Sequence, residues 1–340
     1  MLILGIESSC DDTGVAVYDA AARKILANKT RSQDAVHGPF GGVVPELASR
    51  AHLENIGALQ REALSAAGVR GGDLHAVAVT RGPGLRGCLA VGVAFARGFA
   101  QARGLPIAGI NHIRAHALSP FAEVPLPEFP HLAAVLSGGH SHLFRLDSPA
   151  DFSLLCKTRD DAMGEAFDKV AKLIGLPWPG GPAVDRAAAD GDDRAFVFPR
   201  IKFNDDAQSF DLSFSGLKTA ALYRFRESGL PKLLEGEAPA QGHRDLCASF
   251  QRATVELVLD RVERLLIRDG YTCFSFSGGA AQNSRLRSRA KAIAAERNLL
   301  VYFPGPGLSA DNAAMIAACA ALENRWDGQS EIAVDPDLKI

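Results

Sequence analysis

The chain has 340 residues, of which 47% are hydrophobic, and its formal net charge is −2 at pH 7. This length and composition predict a globular protein of two domains with a sizeable core. The charge is too small to indicate binding to nucleic acid or to a membrane surface. No apolar stretch reaches the roughly 18 residues of a membrane span, so no membrane partner is expected.

The sequence predicts a cytoplasmic protein. Its six cysteines are scattered without a CxxC pair, which is typical of reduced residues rather than of a disulfide framework or a zinc cluster. The chain also starts directly with a predicted strand at Met1–Ile6, so no secretion signal is expected.

The pattern of apolar residues predicts strands and helices that alternate along the chain. The predicted strands are Leu2–Glu7, Gly14–Tyr18, Leu74–Thr80, Leu105–Ile110, His131–Leu136, Ser141–Leu146 and Thr272–Phe276. The predicted helices are Pro45–Ala67, Leu89–Ala102, Met163–Ile174 and, approximately, Ala313–Asn324. Four prolines in Pro120–Pro130 indicate a surface connection near a domain boundary. A unit of strand, polar turn and strand occurs more than once, which predicts an α/β protein with two related lobes and a central cleft.

The first polar turn, Ser8–Thr13, joins two predicted strands and is rich in hydroxyl and carboxyl groups. Its backbone amides could bind a phosphate, and its acids could bind a metal ion or an ammonium group. Ser9 and Asp12 are therefore candidates for substrate contacts.

Two histidines follow the predicted strand Leu105–Ile110 and stand four residues apart. A helix would place His112 and His116 one turn apart on the same face. From there they could bind a divalent metal ion and leave coordination positions open. The alternative is a pair of surface histidines on a helix.

Two further turns contain a Gly-Gly pair after a strand. The glycines of Ser137–His142 would let the backbone approach an anion, and His140 adds a donor. The turn Ser277–Asn283 could seat a base or a ribose, because Asn283 offers both a donor and an acceptor. Each turn alone is more often structural, but together the three turns favour a nucleotide site. None has the spacing of a P-loop or of a dinucleotide fold.

Several motifs occur in an order that is specific to one family. They are Ile6–Gly14, Gly41–Arg50, Gly82–Leu85, Leu136–His140, Gly164–Lys169, Pro179–Pro182, Phe214–Thr219 and Asp311–Ile316. Through them the chain resembles, over almost its whole length, the TsaD family of tRNA N6-adenosine threonylcarbamoyltransferases. The resemblance implies the two-lobed, actin-like ATPase fold (ASKHA, RNase H-like) with a central cleft. The expected lobes are residues 1–115 plus 312–340 (lobe I) and 116–311 (lobe II).

The resemblance also implies a reaction, in which the threonylcarbamoyl group of L-threonylcarbamoyladenylate passes to N6 of adenosine 37 in ANN-decoding tRNAs, forming t6A and releasing AMP. It implies that His112, His116 and Asp311 bind one divalent metal ion, with Fe(II) favoured and Zn(II) as the alternative. These three residues and His140 form the expected catalytic set. The expected substrate contacts are Leu136, Ser137, Gly138, Gly139, His140, Asp168, Gly181, Asp185, Asn283, Ser9 and Asp12. From local pattern alone, Asp311 could instead be a helix N-cap and Asp168 a surface acid.

The partners that the resemblance implies are tRNA, the adenylate, and the proteins TsaB and TsaE. The predicted helix Pro45–Ala67 is a candidate surface for a protein partner. Basic residues that could contact RNA are Arg285, Arg287, Arg289, Lys291, Arg297, Lys169 and Lys172. A solvated, charged helix face is the alternative interpretation of these residues.

The resemblance is incomplete between the two histidines, where many bacterial members carry Glu and Gly and this chain has Arg114 and Ala115. On a helix, residue 114 points away from the metal face. Arg114 is therefore a hypothetical contact for tRNA phosphates.

Three other functions are alternatives to this one. A metallo-endopeptidase of the HExxH type needs Glu after its first histidine as the general base, and this chain has Ile113 there. A small-molecule kinase or ATPase of the same superfamily would need a carboxylate base, for which no local signature stands out. A non-catalytic scaffold would not need to retain His112, His116 and Asp311.

Overall fold

A computed structural model of the protein describes residues 1–199, 210–324, 326 and 332–340. The chain forms two compact units. The first comprises Met1–Phe129, Leu146–Phe152 and Phe303–Ile340, and the second comprises Pro130–Arg145 and Ser153–Tyr302. These bounds differ from the predicted lobes, because a division after residue 115 would cut through a short helix that belongs entirely to the first unit.

The described residues form strands and helices that alternate along most of the chain. The strands are β1 (Leu2–Glu7), β2 (Asp12–Asp19), β3 (Lys24–Ser32), β4 (Ala76–Gly82), β5 (Ile107–Asn111), β6 (His131–Leu136), β7 (Ser141–Ser148), β8 (Asp151–Lys157), β9 (Cys273–Ser277) and β10 (Leu300–Tyr302). The helices are α1 (Asp34–His37), α2 (Pro45–Ala67), α3 (Arg86–Gln101), α4 (His112–Leu118), α5 (Met163–Ile174), α6 (Gly180–Ala188), α7 (Ser215–Glu227), α8 (Gln241–Asp269), α9 (Ser284–Arg297) and α10 (Ala313–Glu323). Among these helices, none combines the length and the apolar character that a membrane crossing needs.

The two sheets repeat one strand order. The first sheet runs β3-β2-β1-β4-β5, and the second runs β8-β7-β6-β9-β10. In each sheet, the strand that comes first along the chain, β1 or β6, lies in the centre. β1 pairs antiparallel with β2 and parallel with β4, and β6 pairs parallel with β9. The prediction of an α/β protein with two related lobes is confirmed, and the central cleft stays a prediction.

The core of the first unit lies between its sheet and the helices that cover it. Residues 3–7 of β1 are all buried, and side chains of α2 and α3 pack against the sheet. Helix α10 approaches β1 closely because both contribute small residues. A Cβ atom on Gly5 would lie 2.2 Å from the carbonyl oxygen of Ala313, so only glycine fits at this position.

Several predicted elements have the bounds that the structure gives, namely β1, α2, β6 and α5. Helix α2 ends at Gly68, which adopts the left-handed conformation (φ 68°) that favours glycine at a helix C-terminus. The expectation of a surface connection over Pro120–Pro130 is wrong for its first residues. Phe121 and Ala122 are fully buried, and the Ala122 carbonyl accepts a hydrogen bond of 2.6 Å from the Tyr18 hydroxyl.

Candidate metal centre and substrate turns

Helix α4 presents both histidines from a capped start. It begins directly after β5, where the Asn111 side-chain oxygen accepts hydrogen bonds from the backbone amides of Ile113 (2.9 Å) and Arg114 (3.2 Å). This cap satisfies amides that the first turn leaves without helical partners. His112 and His116 are both buried, with ring centroids 4.6 Å apart in an edge-on arrangement. The alternative of two surface histidines is therefore wrong.

Asp311 lies beside the two imidazoles although it is 195 residues further along the chain than His116. Its Oδ1 is 3.0 Å from Nε2 of His116 and 3.5 Å from Nε2 of His112. The N-cap of α10 is Asn312, whose side-chain oxygen accepts a hydrogen bond from the Met315 amide. The alternative of Asp311 as an N-cap is thus also wrong.

The three side chains fit a small divalent cation. One candidate ligand atom from each of His112, His116 and Asp311 lies within 4.8 Å of the others. Two ligands at 2.0–2.2 Å from one ion are about 3.0–3.5 Å apart at octahedral or tetrahedral angles, which matches the two imidazole–carboxylate distances. Imidazole and carboxylate donors suit Fe(II) and Zn(II). Asp311 is partly exposed, which leaves this side of the cluster accessible.

Glu7, for which no sequence pattern predicts a role, contacts the cluster on the side of His112 that faces away from Asp311. This fully buried residue ends β1, and its Oε2 lies 3.1 Å from Nδ1 of His112. Burial raises the pKa of Glu7, but the charge and hydrogen bond of His112 lower it by more than burial raises it. The net shift of the pKa is therefore downward. Burial lowers the pKa of His112, and the charges of Asp311 and Glu7 outweigh this and raise it to about 9. Two carboxylates around one imidazole therefore stabilise a positive charge there.

The predicted first turn lies next to this cluster. The Ser9 hydroxyl is 3.2 Å from Nδ1 of His112, and the backbone carbonyl of Ser9 accepts a hydrogen bond from the Leu85 amide. Burial, followed by the charge of Asp311, raises the pKa of Asp12 to about 7. The first unit thus brings together Ser9, Asp12 and the three metal-ligand candidates.

In the second unit, the turn after β6 is closed by its own backbone. The Ser137 amide donates to the His140 carbonyl (2.7 Å), and the His140 amide donates to the Ser137 hydroxyl (3.1 Å). Gly138 and Gly139 are exposed and have open space around them. The N-terminus of α5 packs against this turn, since a Cβ atom on Gly164 would lie 2.8 Å from the Ser137 carbonyl oxygen.

The other predicted substrate residues of the second unit contact the protein itself. Asp168 accepts a hydrogen bond of 2.7 Å from the Gly180 amide, next to Gly181. Asp185 accepts hydrogen bonds from Gln251, from Asn283 and from the Ser284 hydroxyl and amide. Asn283 also caps α9 through the Leu286 amide. The structure thus gives Asp185 and Asn283 a helix-start role, and their substrate contacts stay a prediction.

The structure gives the Arg114 side chain contacts within the protein, and its contact with tRNA phosphates stays a prediction. Its guanidinium bonds Glu323 of α10 (Nε to Oε1, 2.6 Å) and the Ala150 carbonyl (2.8 Å), and it lies 4.3 Å from the centroid of the Phe152 ring. The side chains of Arg114 and Glu323 are 15% and 9% exposed, so the guanidinium is committed to protein contacts.

The candidate basic residues for RNA are largely paired with acids. On α9, Arg285 pairs with Asp193 (2.7 Å), Arg289 with Glu256 (3.5 Å) and Arg297 with Glu263 (2.9 Å). On α5, Lys169 bonds Asp161 and Glu165. These pairs favour the interpretation of a solvated, charged helix face.

Comparisons with known proteins identify relatives of this chain. The family profile described as "TsaD: tRNA N6-adenosine threonylcarbamoyltransferase" matches residues 24–318. The tRNA N6-adenosine threonylcarbamoyltransferase of Geobacter sulfurreducens is 46% identical over 335 residues, covering 98% of this chain and 95% of the relative. That of Paracoccus denitrificans is 47% identical over 317 residues, covering 93% of this chain and 87% of the relative.

Solved structures show the same fold at low sequence identity. Full-length HypF in its phosphate- and nucleotide-bound form is 15% identical, with a TM-score of 0.60 over 95% of this chain and 55% of HypF. Component A of the Acidaminococcus fermentans (R)-2-hydroxyglutaryl-CoA dehydratase is 15% identical, with a TM-score of 0.55 over 95% and 96% of the two chains. A ROK family glucokinase from Streptomyces griseus is 12% identical, with a TM-score of 0.51 over 95% and 99%. The family profile matches most of the length of this chain, and the fold agrees with that of the solved structures. The chain belongs to the TsaD family.

Proposed function

We propose that the protein transfers the threonylcarbamoyl group of L-threonylcarbamoyladenylate to N6 of adenosine 37 in ANN-decoding tRNAs, which forms t6A and releases AMP. Membership of the TsaD family over residues 24–318 is the observation that carries this proposal. The cluster of buried His112 and His116 with partly exposed Asp311 supports it, because a scaffold without catalysis has no need for such a site.

We also propose that this cluster holds one divalent metal ion, with Fe(II) favoured over Zn(II). Such an ion, when bound, would act as a Lewis acid toward phosphate or carbonyl oxygens of the adenylate. His112, His116 and Asp311 would hold it on one side and leave room for substrate on the other. The exposed glycines of the Ser137–His140 turn would let backbone amides approach an anionic or acyl group, with His140 as a further donor.

In the reaction, N6 of the adenosine attacks the carbamoyl carbon, and the bond from this carbon to the phosphate oxygen of the adenylate breaks. The N6 proton is lost and AMP leaves with the bond electrons. The protein contributes chiefly by holding the two substrates in line, which replaces a collision between free reactants. Ser9 and Asp12 would contact the adenylate from the first unit.

A peptidase is not favoured by the geometry. Position 113, where an HExxH protease has its general base, is a buried isoleucine. Glu7 contacts His112 at Nδ1 rather than on the Nε2 side that Asp311 occupies, so it does not replace that base.

Reconstitution tests the proposed function. Purified protein would be combined with threonylcarbamoyladenylate, an ANN-decoding tRNA and the proposed partners TsaB and TsaE, and t6A would be measured by mass spectrometry. We expect product from the wild type and a loss of at least about 100-fold in His112→Ala and Asp311→Ala, since metal-site residues control the barrier. His243→Ala removes a buried imidazole of the second unit outside these sites and serves as the matched control.

Different results would contradict the transferase assignment and the metal site. Absence of t6A from the wild type with all partners present would contradict the transferase assignment. Full activity of both cluster variants would contradict the metal site while leaving the transferase assignment standing. We also propose a cytoplasmic location for the protein, so the active complex should be found in the cytoplasmic fraction of cells.

A further inference from the structure

Glu7 is a carboxylate in the interior of the first unit that the proposed mechanism does not use. It has no exposed surface, and its two carboxylate oxygens face three polar groups of the protein. A buried charge is costly unless hydrogen bonds compensate for lost water. Three donors reach it: the Ser9 amide (2.5 Å, to Oε1), the Thr80 hydroxyl (2.6 Å, to Oε2) and the His112 imidazole (3.1 Å, to Oε2).

The sheet itself places Thr80 beside Glu7. Strands β1 and β4 are parallel, and Ile6 is registered with Val79, so the next residues of the two strands stand side by side. The hydroxyl of Thr80 is buried as well and donates to the carboxylate oxygen that His112 also contacts. This shared oxygen restricts the position of the imidazole.

Nδ1 of His112 faces Glu7 (3.1 Å) and the Ser9 hydroxyl (3.2 Å), while Nε2 faces Asp311. When Nδ1 carries the proton and donates to Glu7, Nε2 is free to bind a cation beside Asp311. His116 has no comparable restraint, since its Nδ1 is buried without a hydrogen-bond partner among the residues that the structure describes. The other ring nitrogen of His116, Nε2, lies 3.0 Å from Asp311, and the ring packs edge-on against that of His112.

We propose that Glu7 is a positioning residue for the metal centre: it holds the Nδ1–H tautomer and the ring orientation of His112, and Thr80 holds Glu7. The inference rests on the proposed metal site. Partners of this kind, on the far side of a ligating histidine, typically contribute 10–100-fold to metal affinity.

The test measures Zn²⁺ affinity of the purified full chain by competition with a chromophoric chelator, which requires no substrate. Glu7→Gln keeps the side-chain shape but places an amide where three donors converge. It should lower Zn²⁺ affinity by about 10–100-fold while the circular dichroism spectrum is retained. Thr80→Val, which keeps the shape of threonine, should give a smaller loss. In the Zn²⁺-loaded wild type, ¹⁵N NMR should show a protonated Nδ1 on His112.

Glu323→Gln is the matched control, because it also neutralises a buried carboxylate of the first unit that bonds a charged side chain, here Arg114. Its Zn²⁺ affinity should equal that of the wild type. Equal losses in Glu7→Gln and Glu323→Gln would overturn the proposal, as would an unprotonated Nδ1 on His112. If Glu7→Gln does not fold, unchanged affinity in Thr80→Val overturns it. A wild type that binds no Zn²⁺ or Fe(II) would instead contradict the metal site itself.

Discussion

The carboxyl group of Asp12 has a higher pKa in the folded protein than in the unfolded chain. Burial and the neighbouring Asp311 raise its pKa to about 7, whereas an exposed aspartate titrates near 4. Because the folded pKa is raised, the protonated side chain is favoured by folding. The resulting stability is complete below about pH 4 and is lost as the pH rises to about 7.

Asp12→Asn should therefore stabilise the metal-free protein at high pH, because asparagine is neutral at every pH. The gain in unfolding free energy should grow from about zero near pH 4 to at most about 4 kcal/mol above pH 7, as measured by urea denaturation with a chelator present. The same variant should lose transferase activity if Asp12 contacts the adenylate. Asp19→Asn is the control with the opposite sign, since backbone hydrogen bonds lower the pKa of Asp19. A gain that does not change with pH would contradict the prediction.

Arg114→Ala should destabilise the first unit, because it leaves Glu323 buried without its partner. Breaking a buried ion pair by removing one side costs about 3–5 kcal/mol, whereas replacing both sides with apolar residues is often neutral. Thermal unfolding should therefore show a large loss for Arg114→Ala and recovery in the double variant Arg114→Met with Glu323→Leu. Equal stability of the single variant and the wild type would show that the pair contributes nothing.

The elements that the sequence predicts best are those with one continuous apolar face or run. The central strands β1 and β6 are buried along almost their whole length, and α2 has a clear start at Pro45 and stop at Gly68. The edge strands β3 and β8 were not predicted, because most of their residues are partly or fully exposed and no apolar run marks them. Helix α8 was missed because it is buried on several faces, so its apolar residues form no single stripe.

Two glycine substitutions should have opposite effects on stability, because Gly5 lies against α10 and Gly98 has open space around it. Gly5→Ala forces a Cβ atom against the Ala313 carbonyl oxygen and should cost about 1–3 kcal/mol or more of unfolding free energy. Gly98→Ala lies in α3 with no atom within 4 Å of the added Cβ, and should gain about 0.5–1 kcal/mol from helix propensity. Both values can be read from chemical denaturation. A neutral Gly5→Ala would mean that α10 can move away from β1 without loss.

At the scale of the whole molecule, the net charge of −2 means that RNA binding depends on local groups of basic residues. Helix α9 looks basic in sequence, but the structure pairs its Arg285, Arg289 and Arg297 with acids. The double variant Arg285→Ala with Arg289→Ala should therefore leave the salt dependence of tRNA affinity unchanged, measured as the slope of log K against log salt concentration. A slope reduced by about 2 would show that both arginines contact phosphates and that their ion pairs open on binding.

The candidate site illustrates the limit of local patterns. The spacing of His112 and His116 indicates a shared helix face, because residues i and i+4 always meet there. No spacing rule connects them to Asp311 or to Glu7, which lie 195 and 105 residues away along the chain. Asp311 was assigned only through family resemblance, and Glu7 is identified only by its contact with His112 in the structure.

The candidate metal ligands of the first unit are far apart along the chain, since Asp311 follows His116 by 195 residues, and this has a consequence for biosynthesis. Translation at about 5–20 residues per second needs roughly 10–40 s to add the residues between His116 and Asp311. The whole second unit, residues 130–145 and 153–302, is made within that interval. The ribosome must therefore complete about nine-tenths of the chain before all three candidate ligands exist, so binding of a metal ion at the proposed site would follow the synthesis of the second unit.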